Sequence, residues 1–119
     1  MTTRRISGLM IFEAATLVVA STIHLSGADL GGGAPFSPNR AGVAEAVIAV
    51  VLVAGVFALR RGARGLAIAS VVFAVAGFLV GLSMTVRGGA AVDVAYHAVM
   101  LPILSLTLVQ LVRSRVRSV

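Results

Sequence analysis

Four long apolar blocks, at residues 6–25, 41–59, 65–86 and 91–112, take up most of the chain, and its arginines gather mainly between or beside them. Each block has the roughly 20 largely apolar residues that a helix needs to cross the hydrocarbon core of a bilayer. The connections are short. Arg60-Arg61-Gly62-Ala63-Arg64 turns from the second block to the third, and Arg87-Gly88-Gly89-Ala90 from the third to the fourth. Residues 26–39, reading SGADLGGGAPFSPN, form the longest connection, whose glycines and prolines break any helix. Short turns make successive helices antiparallel neighbours. The pattern predicts an all-α integral membrane protein: one transmembrane domain over residues 1–119, built as an up-down-up-down four-helix bundle.

Composition sharpens this picture. Of the 119 residues, 59% are hydrophobic and 12% charged, against about 25% charged in an ordinary soluble domain. Mean hydropathy is +1.06. So few charges cannot cover the surface of a water-soluble chain this small, which excludes a soluble enzyme and a disordered segment. The net charge of +6 comes entirely from arginine on the basic side. The resulting pI of about 11.8 would suggest nucleic acid in a soluble protein. Here the arginines flank apolar blocks and read as orientation signals, with no nucleic-acid partner expected. Arg4, Arg5, Arg60, Arg61, Arg64, Arg113, Arg115 and Arg117 fall on one side, and Arg40 and Arg87 on the other. That bias predicts a plasma-membrane protein with both termini in the cytoplasm and the loop 26–39 outside. All-arginine usage with abundant Ala, Val and Gly fits a GC-rich bacterial genome. Arg4-Arg5 faintly resembles a twin-arginine signal, but Glu13 interrupts the apolar stretch, so the first span is expected to stay in the mature protein.

With no cysteine in the chain, thiolate chemistry and disulfides are excluded. The candidate chemistry lies in a few ionisable groups inside the apolar blocks: Glu13, His24, Glu45, Asp93 and His97. Such groups are costly in a membrane and are functional candidates by default. On the predicted topology His24, Glu45, Asp93 and His97 fall within about 8 Å of the outer boundary, at 1.5 Å per helical residue. Asp93 and His97 are i, i+4 and share a face, as do Glu13 and His24, eleven residues apart. Glu13 sits about 16 Å deeper than His24 by the same rise, near mid-bilayer. Tyr96, beside His97, is a candidate hydrogen-bond donor at the cluster. Pro102 cannot bond the carbonyl of Ala98, so a kink there is one way to aim His97.

This constellation points first to a polar ligand-binding site near the outer face, built from His24, Glu45, Asp93, Tyr96 and His97. Imidazoles and carboxylates are ligands for divalent transition metals, with His24, Glu45 and His97 the expected set. His24 and His97 could instead serve as axial ligands of a haem, and a quinone head or small polar molecule is a third occupant. A second reading is a proton-coupled transporter working through Glu13, as a homodimer. A third is an accessory subunit of a larger membrane complex. The opposing reading of every one of these residues is a hydrogen-bonded network that pins helices together. Gly77 and Gly81 form a GxxxG pair, read here as packing within the bundle rather than a dimer face. Length, four spans and a Glu in the first resemble the small multidrug resistance family in plan. The departures are decisive: the chain has no Trp, and its single tyrosine, Tyr96, lies in the fourth span. It is not assigned to that family. It shares with the DoxX-like group only the four-span plan.

Overall fold

The computed structural model describes residues 1–33 and 36–117. Four helices account for nearly all of them: α1 (Thr3–Leu25), α2 (Pro38–Arg60), α3 (Arg64–Gly88) and α4 (Ala91–Arg117). No strand occurs among the described residues. All four helices are long and apolar enough to cross a membrane.

Each helix overruns its apolar block at one end or both, and for α1 and α2 the N-caps explain why. Thr2 accepts a hydrogen bond from the Arg5 amide, so α1 begins ahead of the arginine pair. Pro38 and Asn39, expected in the loop, instead open α2. Ser37 is the N-cap, its hydroxyl accepting from the Arg40 amide, and Pro38 stands at the first helical positions, where its missing N–H costs nothing. Gly62 has φ +83°, which lets the chain reverse within the three residues between α2 and α3.

The outside of the bundle is apolar. Val50, Leu66 and Val80 are 69%, 66% and 65% exposed, while Glu13 is completely buried. A water-soluble bundle has the opposite polarity, with charges outside and apolar residues in the core. Within the bundle an apolar cluster that includes Met10, Leu17, Leu52, Val71, Phe78, Leu104 and Leu111 joins all four helices.

Small residues set the helix spacing. A Cβ on Gly55 would collide with the Ser70 hydroxyl of α3, and one on Gly77 would stand 2.6 Å from Ile48 Cδ1 of α2. Gly81 makes the matching room for His97 of α4. The GxxxG pair therefore serves close approach inside the bundle. α4 continues through Pro102. Pro102 and Ala98 are both exposed, whereas His97 is buried.

Contacts between elements show which ends meet. Arg64 donates to the Thr3 hydroxyl at 3.5 Å, bringing the start of α3 to the start of α1. At the other end, the Gly33 amide donates to the Gly88 carbonyl at 2.6 Å, laying the first loop against the α3–α4 turn. Gly32, at φ +85°, makes that approach: a Cβ there would stand 2.7 Å from the Gly88 oxygen. Residues 34 and 35 of this loop, and the side chains of Arg115 and Arg117 counted in the charge bias, lie outside the description.

Candidate functional site

Three helices converge on His24. It occupies the last turn of α1, and Ser21, one turn earlier, donates to the Gly42 carbonyl of α2 at 2.7 Å. That contact holds α2 close enough for Glu45 to reach the imidazole. His24 Nδ1 is hydrogen-bonded to Glu45 Oε1 of α2, and His24 Nε2 to Asp93 Oδ1 of α4 at 2.9 Å. All three side chains are buried. Both ring nitrogens face carboxylate oxygens, so two protons are shared among the three groups. Either the ring is doubly protonated, or one carboxyl is an acid. Glu45 Oε2 and Asp93 Oδ2 have no hydrogen-bond partner. Phe36 of the first loop stands edge-on to the His24 ring at 5.8 Å.

His97 is near this chain of hydrogen bonds but not part of it. Its Nδ1 lies 2.7 Å from the Asp93 backbone carbonyl and donates to it. In the neutral ring, Nε2 is then the unprotonated nitrogen, a hydrogen-bond acceptor. It points toward α3, where a Cβ on Gly81 would stand 2.5 Å away. Phe78 flanks the ring at 5.1 Å and Tyr96 at 5.8 Å.

Two cavities adjoin the cluster. The larger, about 530 Å³, is bounded by α2 and α3, with Leu17, His24 and His97 reaching it from α1 and α4. Its walls are mostly apolar, including Ile48, Phe73, Phe78 and Met84, and its polar groups include His24, Arg40, Glu45 and His97. The smaller, about 240 Å³, lies under the first loop and is lined by Gly27, Asp29, Gly31, His24 and Asp93 among others.

Glu13 lies deeper along α1 and meets α4 instead. Thr107 Oγ1 is 2.8 Å from Glu13 Oε2 and 3.0 Å from the Ile103 carbonyl. One hydroxyl proton serves one acceptor, so a neutral Glu13 that donates to Thr107 satisfies both contacts. Glu13 Oε1 has no partner. Between the two sites, Thr16 donates to the Glu13 carbonyl at 2.8 Å and receives the Tyr96 hydroxyl at 2.9 Å. α1 and α4 are thus joined by three polar rungs: Glu13–Thr107, Thr16–Tyr96 and His24–Asp93.

Several expectations change with this geometry. His24, Glu45 and Asp93 do assemble at one end of the bundle, and His97 lines the same cavity as His24 and Glu45. Tyr96 does not donate to that cluster; its hydroxyl is taken by Thr16. The metal set His24, Glu45 and His97 is not assembled, because both nitrogens of His24 are bound to carboxylates. No group of three or more His, Asp or Glu is arranged to hold a metal ion among the described residues. For the haem alternative, both nitrogens of His24 likewise face carboxylates and His97 Nε2 faces α3. Thr16 and Thr107 were not singled out from the sequence. Their signal is faint: Thr16 stands one turn from Glu13, on the same side of the helix. Comparison of the chain with protein-family models, curated proteins and solved structures yields no match.

Proposed function

We propose that this protein is a four-span plasma-membrane protein that binds a lipophilic small molecule with a hydrogen-bond-donating head, such as a phenol or a quinol. The observation that carries the reading is the cavity of about 530 Å³, whose mostly apolar lining includes His24, Arg40, Glu45 and His97 as polar groups. An apolar pocket with a few polar groups at one end is the usual form of a small-molecule site. Nε2 of a neutral His97 accepts, so the matching ligand group donates. Four long helices with an apolar outer surface support the membrane placement. The meeting of Arg64 with Thr3, and of Gly33 with Gly88, supports an up-down-up-down bundle with the arginine-rich end in the cytoplasm.

A second reading, a proton-coupled carrier, draws on Glu13, which is fully buried with one oxygen unpartnered. Glu13 is not among the residues lining either cavity, which favours the first reading.

The test uses 2-naphthol, whose fluorescence is unobscured because the chain has no Trp. With the protein in nanodiscs and empty nanodiscs as baseline, saturable binding is expected. Its methyl ether, unable to donate, should bind about tenfold more weakly, the worth of one lost buried hydrogen bond. Ala44→Phe fills the cavity and Gly81→Ala crowds His97 Nε2, so both should reduce binding. Equal binding of naphthol and ether, or binding indifferent to both substitutions, would refute the site.

A further inference from the structure

The hydrogen-bonded chain at the outer end has two ends of its own. Glu45 lines the large apolar cavity and not the small one; Asp93 lines the small cavity and not the large one; His24 lines both. Glu45 and Asp93 are 6% and 5% exposed, and each keeps one carboxylate oxygen without a partner. A buried carboxylate oxygen left unbonded is costly. Glu13 Oε1 is unbonded too, but Glu13 lines neither cavity. Here the residues that carry the unbonded oxygens stand at the two ends of the chain and line the two cavities.

We propose that Glu45, His24 and Asp93 form a proton relay between the cavity under the first loop and the apolar cavity, so that the bound molecule's head exchanges a proton with the outer aqueous side. It rests on the ligand site proposed above. In one direction, a proton reaches Asp93 and moves to His24 Nε2 while the Nδ1 proton moves to Glu45 Oε1. Glu45 then gives a proton to the ligand head. In the other direction, the head's hydroxyl loses a proton to Glu45 and Asp93 releases one outward. The ring resets by flipping between its two carboxylates. One proton crosses for each cycle, and nothing is oxidised or reduced.

The surroundings suit this passage. The lining of the loop-side cavity includes four glycines with His24, Asp29 and Asp93, and a space of about 240 Å³ with polar groups in its wall is large enough to admit water. The charged or titratable groups around the relay are Asp29 from the loop, Arg40 from α2, and His97 and Tyr96 from α4; α3 brings the hydroxyl of Thr85. Asp29 accepts from the Gly31 amide at 2.9 Å and makes no bond to His24, so it serves as a control.

The chain has two histidines, so ¹⁵N-histidine labelling of the full-length protein in nanodiscs gives two rings, assigned with His97→Gln. Exchange of the His24 ring protons with water should slow about a hundredfold in Asp93→Asn, the scale of losing a positioned acid–base group. Asp29→Asn should leave it unchanged, and unmoved His97 signals report an intact fold. Equal exchange in wild type and Asp93→Asn overturns the relay, whether or not naphthol binds. If Asp93→Asn disturbs the His97 signals, Glu45→Gln decides. It should keep exchange with water through Asp93 while abolishing the proton taken up or released when 2-naphthol binds. That proton is read from binding heats in two buffers of different ionisation enthalpy. Heats that are equal in wild type overturn the coupling while leaving naphthol binding, and so the site, in place. Failure of naphthol to bind removes the site reading, and the His24 exchange rates still decide the relay.

Discussion

Two buried carboxylate sites share the α1 helix and differ in what surrounds them. Around His24, three helices supply one imidazole and two carboxylates, and each end of the chain borders a cavity. Around Glu13, one threonine from α4 supplies a partner, and apolar neighbours such as Met10 and Leu17 complete the wall. Both sites bury a group that is expensive in an apolar medium. The outer site shares two protons among three groups, so its members depend on one another. The deep site pairs one carboxyl oxygen with a hydroxyl and leaves Oε1 unbonded, so it depends on a single hydrogen bond. The difference shows that an ionisable residue in an apolar helix points to chemistry when access accompanies it. His24, Glu45 and Asp93 have access, and Glu13 lacks it.

The sharpest way to break this comparison is to remove the imidazole. His24→Leu leaves two carboxylates buried with no counter-charge, and breaking a buried pair typically costs about 3–5 kcal/mol. The midpoint of unfolding in mixed dodecyl maltoside and SDS micelles should fall strongly. Adding Glu45→Gln and Asp93→Asn to His24→Leu should restore much of the loss, since no charge is then stranded. A His24→Leu protein as stable as wild type would mean the three groups are not mutually dependent.

Much of this was readable from the sequence, for a definable reason. Hydropathy and the helical rise convert position along the chain into depth, and depth brought His24, Glu45, Asp93 and His97 to one end. Rotation about each helix axis was not readable, because it depends on which neighbour a face meets. Asp93 and His97 share a face at i, i+4, yet His97 hydrogen-bonds the Asp93 backbone and turns its ring to Gly81 of α3. Tyr96, next in sequence, points toward Thr16 of α1. The caps at Thr2 and Ser37 were hidden too, since the spans were bounded by where polar residues begin rather than by where backbone hydrogen bonds end. Thr107 sits among leucine and valine and looks like an ordinary membrane-helix threonine until the fold sets it against Glu13.

A smaller effect separates the deep site from the outer one. Thr107→Val keeps shape but removes the hydroxyl that Glu13 bonds, leaving a buried carboxyl unsatisfied at a cost of about 1–3 kcal/mol. Glu13→Gln should cost less, because its amide can still bond the Thr107 hydroxyl. The same unfolding assay ranks the pair. If Glu13→Gln proves the more damaging, Glu13 is held as a charge, and the carrier reading gains over the ligand site.

The smallest expected effect falls on the rung between the two sites. The Thr16 hydroxyl donates to its own helix at the Glu13 carbonyl and accepts from Tyr96. Tyr96→Phe removes that donor, yet Thr16 retains its bond to the carbonyl. The phenylalanine ring would still meet Phe78, whose centroid lies 5.6 Å from that of Tyr96. Interhelical hydrogen bonds inside membrane proteins average about 0.6 kcal/mol, so the unfolding midpoint should move only slightly. Naphthol binding should be unchanged, because the Tyr96 hydroxyl faces α1 and Tyr96 does not line the apolar cavity. A loss of binding in Tyr96→Phe would mean that the α1–α4 seam, rather than the wall between α2 and α3, carries the ligand. The middle rung would then belong with the outer cluster, and access at the outer site would extend inward toward Glu13.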